Sequence, residues 1–129
     1  MAAPAPSIDQ QVVWKSQEII RFSRSLIHHA ILAHYAGQNT FTTDIVPDED
    51  RGDGTGVPGS CVTLLKNASL IENVGVFALG KFYADRVKSE RPESKSRFIS
   101  VYRLTSPGLA QEFLRRNGVQ VQQRQPQLL

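Results

Sequence analysis

The sequence predicts an α+β domain, and three observations carry that prediction. From Asp9 to Ala36 there is no Pro or Gly, and apolar residues recur at helical spacing. "NVGVFALGKFYAD" is rich in Val and Phe, and "RFISVYRLT" alternates Phe98, Ser100, Tyr102 and Leu104 against Arg97, Ile99, Val101 and Arg103, which suits strands. "SPGLAQEFLRRNG" carries the start and stop signals of a closing helix, with Ser106 as its cap, Pro107 in the first turn and Gly118 behind the basic pair Arg115 and Arg116.

In the first helical segment Ile19, Phe22, Leu26, Ala30 and Tyr35 or His34 lie near one stripe, which Ile20, Ile27 and Ile31 widen. The segment is either one long helix or two helices joined at Ser23–Ser25, where a serine can cap a new start. Gly37 closes it. In "NTFTTDIV" Thr42 is expected to cap a turn that places Asp44 against the positive end of the helix dipole, and Pro47 limits its continuation. "PDEDRGDGTG" reads as an exposed acidic loop. Pro58 suits a first helical turn, and Cys61, Leu64, Leu65 and Ala68 follow at core-facing spacing. "RVKSERPESKS" is expected to be a charged loop between two strands.

At 129 residues the chain fits one domain, expected over residues 9–118, with a flexible tail at 1–8 and a glutamine-rich polar tail at 119–129. The single cysteine, Cys61, is expected to be a reduced, buried thiol. "MAAPAPSIDQQ" lacks the basic start and apolar run of a secretory leader, and no stretch approaches the roughly 18 apolar residues of a membrane span. The expected location is cytoplasmic, without a membrane partner.

The formal charge of +3 is only mildly basic, but it is unevenly spread. Asp44–Asp53 holds five acids against one base, whereas Lys81–Arg103 holds seven bases against three acids. A positive segment of that kind is what polyanion binding uses. Other signals are weaker. His28, His29 and His34 have no i, i+4 spacing for a metal, and Asp48, Asp50, Asp53 and Gly54 fail the spacing of a calcium loop. Arg51-Gly52-Asp53 matches a cell-adhesion tripeptide by chance. No nucleophile–base arrangement, phosphate-cradling loop or paired carboxylate stands out, so neither an enzyme nor a cofactor is expected.

The order of helix, short helix, glycine-rich loop, helix, strand, basic loop, strand and helix resembles the winged helix-turn-helix family. The resemblance covers about Ser25 to Thr105. It is carried most specifically by "LLKNASLIENVG" and "RVKSERPESKSRFISVYRL", a cadence similar to small members from phages and mobile elements. Where the family has Gly or Asn before Leu-Ile, this chain has Ser69, and its loop before the third helix is longer and more acidic. The resemblance implies a three-helix core plus a β-hairpin wing, with N-terminal and C-terminal helical extensions. It implies sequence-dependent binding of double-stranded DNA in a regulatory or accessory role.

The Pro58–Ser69 helix would then present Gly59, Ser60, Thr63, Lys66 and Asn67 to a major groove, Asn67 suiting adenine and Lys66 a phosphate. The wing would add Arg86, Lys88, Arg91, Lys95 and Arg97 on the flanking backbone. A homodimer through Val12, Val13, Trp14 and the first helix fits a short site. The alternative is a protein–protein interaction module of the same fold without direct DNA contact. A more distant option is an RNA binder stacking bases on Phe82 and Tyr83.

Overall fold

A computed structural model describes residues 8–52, 56–91 and 97–118, with side chains from residue 17 onward. Helix α1 runs unbroken over Ile8–Tyr35. The serines that offered a break are used across the fold instead. Ser23 donates to the sulfur of Cys61 at 3.1 Å, and Ser25 donates to Asp50 at 2.9 Å. Gly37 sits at φ 90°, where the amides of Gly37 and Gln38 return to the carbonyls of His34 and Ala33 and close the helix.

The chain then bridges Tyr102 at Phe41 and makes two 3-10 turns, Thr43–Ile45 and Asp48–Asp50. The Thr42 hydroxyl accepts the Asp44 amide at 3.2 Å, the expected cap. Helix α2 spans Val57–Asn67. It ends on Ser69 at φ 60°, with the Ser69 and Leu70 amides bonding to the carbonyls of Lys66 and Leu65. A non-glycine residue in that left-handed conformation is uncommon. Here it is held by packing: Leu70 folds into the core beside Leu65.

Strands β1 (Ile71–Asn73), β2 (Gly75–Ala78), β3 (Lys81–Ala84), β4 (Arg86–Lys88), β5 (Phe98–Ser100) and β6 (Tyr102–Leu104) form three antiparallel pairs, β1 with β6, β2 with β3 and β4 with β5. Helix α3 follows at Pro107–Arg116, capped by the Ser106 hydroxyl on the Leu109 amide. Among the described residues this is an α+β fold of three helices and small antiparallel sheets.

The strand region departs from the simple hairpin expected. Three extended runs, 71–78, 81–88 and 98–104, exchange partners at one point. There the Val74 amide donates to Val101, the Val101 amide to Asp85 and the Asp85 amide to Val74, at 2.9, 3.2 and 2.8 Å. The closed triangle of bonds lets each run pair with both of the others. The result is a stem (β1–β6) on the core and two arms, β2–β3 and β4–β5. Accordingly "GVFALGKFYA" is a hairpin of its own rather than one strand, and Arg86–Lys88, expected in a loop, is strand β4. Leu79 and Gly80 turn the first arm, both at positive φ (52° and 75°), as a two-residue hairpin turn demands. Gly75 is required beneath it: a Cβ there would lie 2.3 Å from the Tyr83 carbonyl oxygen and 2.7 Å from the Phe82 ring.

The core lies between α1, α2, α3 and the stem. Phe22, Leu26, Ile27, Ala30 and Ile31 of α1 meet Val57, Cys61 and Leu65 of α2, Ala110 and Leu114 of α3, and Phe41, Val46, Leu70, Ile71 and Tyr102. Three expected core positions are outside it. Ile20, Tyr35 and Leu64 are all exposed, because α1 is covered along only part of its stripe and α2 meets α1 along the single line Val57–Cys61–Leu65. Ala68 is exposed as well.

Candidate nucleic-acid interface

Because Val57, Cys61 and Leu65 face inward at i, i+4 and i+8, the opposite side of α2 is turned to solvent. Gly59, Ser60, Thr63, Lys66 and Asn67 are all exposed. With Leu64 and Ala68, four of them (Gly59, Ser60, Thr63 and Asn67) line an open depression along the helix. The space beyond Gly59 is empty to 4 Å, so a flat partner can approach the backbone there. Gly56, at the head of α2, has no side chain to cap it, Pro58 has no amide proton, and the Ser60 amide returns to the Gly56 carbonyl at 3.0 Å. The five residues expected to face outward do so, and Leu64 and Ala68, expected in the core, lie on the same face.

The basic residues of the second arm divide. Arg86 and Lys88 are exposed and stand two apart on β4, on one face with Ser100 and Phe98 of β5. Arg97 is exposed too, one residue before β5 and on the alternate side from Phe98, its carbonyl accepting the Ser89 amide at 2.8 Å. Arg91 behaves differently. Its side chain is only 18% exposed, and it is ion-paired with Asp48, whose carboxyl it holds below the usual range by hydrogen bond and charge. Lys95 falls outside the described residues. So do the side chains of Val12, Val13 and Trp14, the expected dimer surface.

The acidic loop, read from sequence as a counterweight to the basic segment, is fastened to it. Both Asp44 carboxylate oxygens accept the Ser89 hydroxyl at 2.9 Å, and Oδ2 also accepts the Glu90 amide at 2.8 Å. Together with Arg91–Asp48, these bonds hold the loop end of the β4–β5 arm, away from its junction with the stem, against the 3-10 turns. Nothing in the composition announced that pairing, since Ser89 reads as an ordinary loop serine. Its 6% exposure is what gives the contact weight.

Arg51 is also occupied. It donates to the carbonyls of Thr43 and Val46 at 2.8 and 3.0 Å, and its guanidinium lies 5.2 Å from the Phe22 ring. The Arg-Gly-Asp match is thus built on a structural arginine. His28 and His29 lie beside Ser25 and Asp50 in a shallow surface site; burial, then the neighbouring His29, lowers the affinity of His28 for a proton. No cluster of three metal-ligating side chains exists among the described residues, and no helix there is long and apolar enough to cross a membrane.

No protein-family model matches this chain, and no curated protein or solved structure matches it either. The site must be read from its own chemistry.

Of the β2–β3 arm, sequence reading weighed Phe82 and Tyr83 as a base-stacking surface and passed over Val76, Phe77 and Leu79. Val76, Phe77, Leu79, Phe82 and Tyr83 are 61, 81, 99, 41 and 49% exposed. Phe77 and Phe82 pack against each other, with ring centres 5.0 Å apart. The only local signal was Gly80. The usual Asn-Gly of such a turn is replaced by Leu-Gly, which disguised it.

Proposed function

We propose that this protein binds double-stranded DNA as a winged helix-turn-helix module, with α2 in the major groove and the β4–β5 arm on the flanking backbone. One observation carries the reading. The complete small-polar face of α2 is exposed, while its apolar line is consumed by α1. The order of elements supports it: α1, the extended bridge at Phe41, short turns, α2, and antiparallel strands that return to the core. Thr63 and Asn67 supply donors and acceptors for base edges, and Gly59 and Ser60 permit close approach. Lys66, Arg86, Lys88 and Arg97 supply the phosphate contacts, and the positive end of the α2 dipole favours a phosphate near Gly59. Arg91 is left out of this set, because Asp48 already holds it. The role proposed with it is regulatory or accessory.

The test is a fluorescence-anisotropy titration of the full chain against duplex DNA. About four phosphate contacts predict that affinity falls on the order of a hundredfold between 50 and 200 mM salt. Arg86→Ala with Lys88→Ala should weaken binding to every duplex alike, whereas Asn67→Ala should flatten preference among sequences. Binding that ignores salt and survives the double alanine variant rules the reading out.

The exposed apolar β2–β3 arm favours a second reading, a protein–protein module. It is distinguished by a partner complex that survives nuclease treatment.

A further inference from the structure

The β2–β3 arm is apolar on both faces. Phe77 and Phe82 share one face; Val76, Ala78 and Tyr83 share the other with Lys81, as the register Val76↔Tyr83, Phe77↔Phe82 and Ala78↔Lys81 requires. A two-stranded ribbon standing alone is marginal in water, and its outer edges carry unused amides and carbonyls. At the tip, Leu79 is 99% exposed at φ 52°, a conformation that costs a leucine about 1–2 kcal/mol relative to glycine. A ribbon with apolar faces and open edges is one that a further strand completes.

The edge of β3 specifies which strand. The Asp85 amide points to Val74, so by strand alternation Tyr83 and Lys81 also point their backbone groups inward to β2. Phe82 and Ala84 point theirs outward, where no strand of the described chain lies. Along this edge the residues read Lys81, Phe82, Tyr83, Ala84, Asp85. The pattern is complementary to itself when reversed.

We propose that β3 pairs antiparallel with β3 of a second copy of this chain, about a two-fold axis through Tyr83. In that register Phe82 stands opposite the partner's Ala84, and their outward amides and carbonyls exchange hydrogen bonds on both sides of the axis. Tyr83 meets the partner's Tyr83 where side chains approach most closely. Lys81 stands opposite the partner's Asp85, and Asp85 opposite the partner's Lys81. Sliding by two residues either way keeps the backbone bonds but loses both charge pairs, so charge selects the register. Lys81 and Asp85 are both exposed, and neither enters an ion pair among the described residues. The product is a four-stranded sheet, β2–β3 with its symmetry mate, that covers aromatic surface the monomer leaves wet. This pairing goes beyond nucleic-acid binding and does not depend on it.

Sedimentation equilibrium of the full chain, free of DNA, tests the pairing. The parent should be a concentration-dependent dimer. Lys81→Asp and Asp85→Lys each place like charges opposite one another twice, and each should raise the dimer dissociation constant about tenfold or more. The doubly reversed variant, Lys81→Asp with Asp85→Lys, restores both pairs and should return to within about threefold of the parent. Amide exchange at Phe82 and Ala84 should slow as protein concentration rises. A parent that stays monomeric up to millimolar concentration overturns the proposal. So does a dimer indifferent to the single reversals, or a double reversal that fails to rescue. None of these results bears on the salt-dependent DNA titration, so the two readings fail separately.

Discussion

Replacing Asp44 by alanine should loosen the β4–β5 arm from the helical core, and the structure sets the size of the effect. The carboxylate accepts the Ser89 hydroxyl and the Glu90 amide. Glu90 is exposed, so water replaces its lost bond at little cost. Ser89 is 6% exposed, and a buried hydroxyl deprived of its acceptor costs about 1–3 kcal/mol. The expected loss is therefore about 2 kcal/mol, which for a domain of this size lowers Tm by roughly 10 °C. Asp44→Asn keeps a carbonyl oxygen in place and should lose about half as much. Thermal denaturation followed by circular dichroism reads the global effect. Amide exchange at Ser89, whose N–H bonds to Arg97, reads the local one. If Asp44→Ala leaves both Tm and Ser89 exchange unchanged, the arm is not held as described.

Two further predictions concern α2. Leu65 is fully buried and Leu64 is exposed, so Leu65→Ala should cost about 2–5 kcal/mol while Leu64→Ala stays within about 0.5 kcal/mol, a contrast that urea denaturation resolves. Burial pushes the Cys61 thiol up to about 11 from an ordinary value of 9.0, partly opposed by the hydroxyl that Ser23 donates to it. The folded thiol keeps its proton after the unfolded one has lost it. Its contribution to stability is therefore complete below pH 9.0 and disappears as pH rises toward about 11. A thiol reagent at neutral pH should label Cys61 only at the rate at which the protein opens; prompt labelling of the native protein would place the thiol elsewhere.

Much of the helical framework was legible in local chemistry. Thr42, Ser106 and Gly37 are caps whose side chain or conformational freedom acts within a few residues, so each worked where the sequence put it. Ser69, a departure from the Gly or Asn of the family, nonetheless takes a left-handed conformation at φ 60°. The polar face of α2 followed from the spacing of Cys61 and Leu65. Leu64 was misplaced because spacing locates an apolar stripe but not how much of it a neighbour covers. One line of α1 leaves room for Leu65 and not for Leu64.

Periodicity and capping, both local properties of neighbouring residues, determined the helices, the strand-forming stretches and the outward residues of α2 from sequence alone. Tertiary structure decided the exchange of strand partners at Val74, Asp85 and Val101, the apolar arm this releases, and the fastening of Asp44 to Ser89. Those contacts join residues up to 45 positions apart. Alternation marks which way a side chain points but carries no information on which strand receives the backbone bond. That choice is made only when the whole chain closes around its core, and here it separates Arg91, ion-paired with Asp48, from Arg86 and Lys88, which stay exposed.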